Sequence, residues 1–330
     1  MNPQRRVWLG LMGVAPAWAL GPGLLRAQTD ARPRRVGVLA PSTAEREALT
    51  LEPFYAEMRT LGWIEGRTVV YDRAFGDDRP ATLAQAATAL VERRPELIYA
   101  PPAPAAVAAR KATATIPIVF GTGTDPVGTG LVTSLSKPGG NVTGVISVID
   151  SLAPKLIELL GVLLPGARRI GLLSDPADPR SAIDLRALQP VADERGLTLV
   201  QGHATSAATF DAAVATLLAQ RVHAIITGTA LTFNLRSRLL DLANAGRVPV
   251  VGHRAELADV GALFTYGASL AAQLRRSAHL VDKVLRGGRP ADIPIEQPTV
   301  FELVVNLKTA RAFGIAVPTA VLVRADRVIE

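Results

Sequence analysis

The feature that most constrains this chain is an alternation that runs along it twice. From Arg34 onward, short runs rich in β-branched residues alternate with longer stretches whose apolar residues recur at helical spacing. Val36-Gly37-Val38-Leu39-Ala40 reads as a strand that ends at Pro41-Ser42, and residues 45–61 as a helix closed by Gly62. Val69-Val70-Tyr71 is a second strand, and Leu83, Ala87, Leu90 and Val91 then share one helical face. Residues 97–100 and 116–120 read as further strands, with an alanine-rich helix over 104–113 between them.

The second half keeps this rhythm. Leu152, Leu156, Leu159 and Leu163 form a helical stripe, and the strand 170–173 ends at Asp175-Pro176. Ser206 is a suitable N-cap for a helix carrying Phe210, Ala213, Val214, Leu217 and Leu218. The strand 224–227, a helix over 231–245, the strand 249–252 and a long helix through Leu270, Leu274, Ala278, Val281 and Leu285 complete the series. Strands alternating with helices imply parallel sheets covered on both faces, hence an α/β fold. Two series of similar length suggest two lobes, with a composition change at Pro138-Gly139-Gly140-Asn141 and a first crossing over 142–150. One long sheet is the alternative arrangement.

The N-terminus reads as an address. Arg5 and Arg6 precede an apolar stretch interrupted by Gly10, Gly13, Pro16, Gly21 and Pro22, and Ala27 offers a small residue for cleavage. Residues 1–27 therefore read as a signal peptide rather than a membrane anchor, since the run is too broken for the ~20 continuous apolar residues of a span. The paired arginines leave the twin-arginine route as an alternative to general secretion. The formal charge of +7 is partly carried by this segment, and the remaining excess is spread thinly. That distribution and the scarcity of tryptophan argue against a nucleic-acid groove. The absence of cysteine excludes disulfides, thiol chemistry and cysteine metal sites.

Open parallel sheets bind ligands at the carboxyl ends of their strands. The candidate loops are therefore Pro41-Ser42, Pro101-Pro102, the turn carrying Thr122 and Asp125, Asp175, and Thr229. They offer hydroxyls, backbone amides and two carboxylates, which suit hydrogen bonding to a polar ligand better than catalysis. Gly121-Thr122-Gly123-Thr124-Asp125-Pro126 puts proline where a dinucleotide fingerprint needs its third glycine, and no phosphate loop or nucleophile elbow occurs. The four histidines are scattered, so no metal and no cofactor is expected; His253 stands out because it directly follows a strand.

Longer stretches then match a family. Residues 129–145 (Thr-Gly-Leu-Val-Thr-Ser-Leu-Ser-Lys-Pro-Gly-Gly-Asn-Val-Thr-Gly-Val), residues 290–310 around Glu296-Gln297-Pro298-Thr299 and Asn306-Leu307-Lys308, and the ending 322–330 resemble a bacterial family of ABC-transporter substrate-binding proteins. So does Asp125-Pro126-Val127-Gly128 after the strand 116–120.

The resemblance implies a type I periplasmic binding protein fold: two Rossmann-like lobes joined by a three-crossing hinge, with a ligand in the interlobe cleft. It implies lobe I over 34–146 plus 249–292 and lobe II over 147–248 plus 293–330. It implies an exported, periplasmic, monomeric protein that captures a small polar ligand, such as an amino acid or aromatic metabolite, and hands it to an ABC permease in the inner membrane. No nucleic acid is implied. Arg254 and Tyr266 would face the cleft, Arg254 as an anchor or as an ion-pair partner of Glu256, and Tyr266 as a stacking surface or a core residue. Thr229-Ala230 stands where relatives often carry Asp-Pro, which leaves an amine-recognising role there in doubt. A sensor subunit of a receptor, with the same cleft, and an α/β enzyme are the competing readings; no motif supports the enzyme.

Overall fold

The computed structural model describes residues 32–123, 125–147, 152–176 and 178–330. Residues 1–27, expected to be a signal peptide, and the end of the expected crossing 142–150 lie outside them. The described strands form two sheets, not one. The first contains β1 (Arg34–Ala40), β2 (Val69–Phe75), β3 (Leu97–Tyr99), β4 (Ile118–Phe120) and β5 (Val142–Gly144), in the spatial order β2-β1-β3-β4-β5 and all parallel. The second contains β6 (Arg169–Ser174), β7 (Thr198–His203), β8 (Ala224–Thr227), β9 (Val250–Gly252), β10 (Phe264–Ala268), β11 (Phe301–Asn306) and β12 (Arg327–Ile329). Its order is β12-β11-β10-β9-β8-β6-β7, parallel except between β10 and β11. This is the expected α/β fold of two Rossmann-like lobes, with one antiparallel pair added.

Each sheet is buried on both faces, which is why its central strands are apolar without alternation. In β1, Val36 and Val38 pack with Phe54, Met58 and Tyr99, while Leu39 points the other way, toward Leu83, Leu90 and Ile118. The second sheet divides likewise: Ile170, Leu172 and Ile226 meet Leu156 and Leu160, whereas Leu173 and Ile225 meet Phe210, Val214 and Leu239.

Two expected helices are each split. Residues 45–61 form Ala44–Thr50 and Glu52–Thr60, because Pro53 in the first turn of the second helix has no N–H to continue the ladder. Residues 231–245 form Ala230–Asn234 and Arg236–Ala245, where the Arg236 guanidinium takes the Phe233 carbonyl at 2.9 Å.

The chain passes between the lobes three times: after β5, at Ser269, and between Glu296 and β11. These passages are tied together, Val145 bridging to Glu296 and the Ser269 N–H donating to the Val300 carbonyl at 3.0 Å. Residues 249–292, assigned above to the first lobe, divide. β9 and β10 extend the second sheet through their ladder to β8, and only the helix Leu270–Leu285 and the turn Pro290–Asp292 cover the first. Ile293 and Ile295, assigned to the second lobe, lie in the first-lobe core.

Candidate functional site

In a parallel sheet the ligand end is the carboxyl end, and it opens where the strand order reverses. That reversal falls between β1 and β3 in the first sheet and between β6 and β8 in the second. Pro41-Ser42 and Pro101-Pro102 leave the two strands that flank the first reversal. Thr122 is drawn to them: its N–H donates to the Pro101 carbonyl at 2.6 Å and the residue bridges to Pro102. Two other first-lobe candidates are occupied internally. The Ser42 hydroxyl donates to the buried Glu47 carboxylate at 2.6 Å. Asp125 is exposed, and its Oδ1 accepts from the Gly128 N–H at 2.7 Å, which closes a turn.

In the second lobe, Asp175, Thr229 and Arg254 follow β6, β8 and β9, which are neighbours in the sheet. The Ser181 hydroxyl accepts from the Asp175 N–H at 2.8 Å. Thr229 is buried and caps the helix Ala230–Asn234, its hydroxyl accepting from the Thr232 N–H. Arg254 makes the ion pair with Glu256 named above as one of its two roles, at 3.0 Å, and lays its guanidinium 3.5 Å from the centroid of the Phe233 ring. Tyr266 lies half-buried against Phe301, ring centroids 6.1 Å apart and nearly parallel, on the edge of the core.

Sequence reasoning missed a polar cluster at the carboxyl end of β8, beside the helix Pro179–Glu194. A cavity of about 20 Å³ opens there, lined by Leu152, Leu156, Leu188 and Ile226 together with Arg180, Asp184, Thr227 and His253. The Arg180 Nε donates to Asp184 Oδ1 at 2.7 Å, and both residues are buried. Gly228 keeps the cluster close: a Cβ there would sit 2.7 Å from Asp184 Oδ2 and 3.0 Å from the His253 ring. The only signals in the sequence were the spacing of Arg180 and Asp184, one helical turn apart, and the place of His253 directly after a strand.

Protein atoms crowd the His253 ring although the residue keeps some surface at the cavity. Burial, then the like charges of Arg180 and Arg254, hold its imidazole well below the ordinary histidine range; a backbone hydrogen bond with Thr227 works the other way. Folded His253 is therefore neutral where an unfolded histidine, with a pKa of about 6.5, takes up a proton. Below that pH the unfolded state binds the extra proton, so stability falls as pH drops and is fully present above it. His253→Gln is expected to flatten the melting profile between about pH 6.5 and 5, where the wild-type slope from this residue reaches at most about 1.4 kcal/mol per pH unit. Parallel melting curves for the two proteins would remove the buried neutral imidazole from the account.

Against known proteins, the family described as ABC transporter substrate binding protein matches residues 44–329. A tyrosine-binding protein of Clostridioides difficile (strain R20291) is 27% identical over 259 residues, which is 78% of this chain and 74% of that one. The crystal structure of an ABC domain from Streptococcus pneumoniae in complex with L-Trp superposes with a TM-score of 0.83 at 25% identity, covering 90% of this chain and 100% of that one. A leucine-binding protein of Thermotoga maritima shares the fold alone, with a TM-score of 0.58 at 16% identity over 77% of this chain and 83% of the other. Two Rossmann-like lobes, three crossings between them, strand-end loops gathered at both reversal points and a family match over almost the whole described chain agree: the chain belongs to the ABC transporter substrate binding protein family.

Proposed function

We propose that this protein is exported to the periplasm, captures a small carboxylic acid of the amino-acid or aromatic type between its lobes, and presents it to an inner-membrane permease. The observation that carries this reading is the pairing of two parallel sheets, each with hydroxyl-bearing loops at its reversal point, on a hinge of three crossings. Such a hinge lets one lobe rotate onto a ligand held by the other, and closure is driven by contacts that exist only in the closed state. The relatives support the ligand class, since one is named for tyrosine and another was crystallised with L-Trp. The Arg5-Arg6 segment with its broken apolar run supports export, and no helix among the described residues is long and apolar enough to cross a membrane. In this reading Pro41, Ser42, Pro101, Pro102 and Thr122 line the first-lobe side of the cleft, and Asp175, Thr229, Arg254 and Tyr266 the second.

A thermal-shift screen of the mature protein against amino acids and aromatic acids tests it. A ligand present at one hundred times its dissociation constant is expected to add about 2.7 kcal/mol of stability. If every amino acid, aromatic acid and other metabolite in a broad library leaves the midpoint unmoved, capture of a small molecule is the wrong reading.

A further inference from the structure

We propose that Gln273 is the positioning residue of the hinge: it holds the first crossing to the helix Leu270–Leu285, so that the three crossings and the first-lobe ligand loop move as one body when the lobes close. This rests on the capture reading above for its purpose, and adds to it the residue that sets how readily closure occurs.

All three crossings converge on the first two turns of this helix. The second runs straight into it, and the Ser269 hydroxyl caps it by accepting from the Ala272 N–H. The third is held by Arg276, whose guanidinium takes both carboxylate oxygens of Glu296, Nη2 to Oε1 at 2.8 Å. The first is held by Gln273, whose Oε1 accepts from the Ser147 hydroxyl at 2.9 Å. Ser269, Gln273 and Arg276 follow one another at intervals of four and three residues, so they form one stripe along the helix.

The ligand loop rests on the same helix. A Cβ on Gly121 would lie 2.7 Å from the Tyr99 hydroxyl and 3.3 Å from Ser277 Oγ, so the turn after β4 is pressed against it. Ser147 joins this loop to the first crossing: its N–H donates to the Gly123 carbonyl at 2.6 Å while its hydroxyl holds Gln273. A ligand that displaces Thr122-Gly123 therefore moves Ser147 through one hydrogen bond and the helix through a second. That is a contiguous physical link between the loop and the hinge.

Gln273 carries more of this link than Arg276. The Arg276 side chain is 53% exposed, and a solvated ion pair contributes little. Gln273 is 4% exposed, and burying an amide is costly where an apolar side chain would pack as well. Its Nε2 makes no hydrogen bond among the described residues, so the bond to Ser147 is the one interaction that accounts for an amide here.

The chain has no cysteine, so a pair of spin labels can be placed without removing any native residue of that type. Lys111→Cys and Arg195→Cys put one label on an exposed residue of each lobe. Double electron–electron resonance then reads the distance distribution between the lobes in the ligand-free protein. Gln273→Leu keeps the bulk and removes the acceptor, and is expected to broaden that distribution. Ser147→Ala removes the other end of the same bond and is expected to do likewise, the double variant adding nothing further. Of L-tyrosine and L-tryptophan, each that the wild type binds is expected to bind Gln273→Leu about tenfold more weakly, by one common factor, because fewer molecules are poised to close. A glutamine that only packs would lower the melting point and leave the distribution as it was. Should Gln273→Leu fail to fold, Ser147→Ala decides. Distributions that match the parent overturn the assignment, and so does broadening that doubles in the double variant; capture still stands in both cases. A loss confined to one of two bound ligands overturns the positioning role, since it marks a direct contact. Failure of the wild type to bind anything in the broad screen overturns capture, while the ligand-free distributions still decide the hinge.

Discussion

Gly267→Ala is expected to destabilise the protein by more than about 4 kcal/mol, the range in which a single substitution points to one identifiable lesion. A Cβ at this position in β10 would lie 1.8 Å from the carbonyl oxygen of His253 and 2.8 Å from its carbonyl carbon. Both are backbone atoms, so no side chain can swing aside to make room. Either β10 moves away from β9, which breaks the ladder through Phe264–Val251 and Thr265–Gly252, or the backbone at His253 moves. Both outcomes displace the segment that carries His253 and Arg254. Loss of soluble protein, or a midpoint far below wild type together with lost ligand binding, is the expected result. A variant that melts within 2–3 °C of wild type would show, on the usual relation of free energy to melting temperature, that the contact relaxes at a cost of only about 1 kcal/mol.

Phe54→Ala is the second large effect, and it acts in the other lobe. Phe54 is fully buried and lies face to face with Tyr99, ring centroids 3.9 Å apart, with Tyr55 and Tyr71 edge-on around it. The Tyr99 hydroxyl is hydrogen-bonded to Ser277 at 2.8 Å, which ties this aromatic group to the helix Leu270–Leu285. Removing the ring forfeits its transfer energy and leaves a void that a stacked tyrosine held by its hydroxyl cannot fill. The expected cost is about 3–5 kcal/mol, or a fall of on the order of 10 °C in the midpoint. Phe54→Leu fills most of the volume and is expected to recover more than half of that loss. If alanine and leucine give the same midpoint, the packing around Phe54 is looser than these distances imply.

Much of the fold was legible because central parallel strands are short apolar runs and the helices between them repeat at helical spacing. β1, β3, β4, β6, β8 and β9 all announce themselves in this way. β7 did not: at the sheet edge its Thr198, Gln201 and His203 are exposed, so no continuous apolar run marks it. β5 is three residues long and was read as part of the crossing, because Val142-Thr143-Gly144 carries too little pattern to separate a last strand from a connection. β10 and β11 were passed over although their residues are largely buried. Their pairing is antiparallel and they stand on either side of a helix that packs in the other lobe, so no βαβ rhythm encloses them.

The site divides along the same line. Loops after strands could be named in advance, since topology alone sends them to the ligand end. What each residue does there could not. Ser42 and Asp125 carry suitable groups, yet local geometry commits them to Glu47 and to the Gly128 turn. Arg180 and Asp184 look in sequence like an exposed pair one helical turn apart, the common surface arrangement. Their burial depends on which face of the helix Pro179–Glu194 meets the sheet, and that is decided by contacts with residues far away in the chain, such as Ile226 and His253.

The helix Leu270–Leu285 belongs to the first lobe but follows nearly all of the second in the chain. During synthesis from the N-terminus, the face of the first sheet bearing Val36, Tyr71 and Tyr99 leaves the ribosome long before Leu274, Ala278 and Val281 exist to cover it. Until then only the helix Glu52–Thr60, through Phe54 and Met58, covers that face, and the apolar surface beside it stays open until the closing helix arrives. Because the chain passes between the lobes three times, neither lobe can be cut away at a single point in the gene.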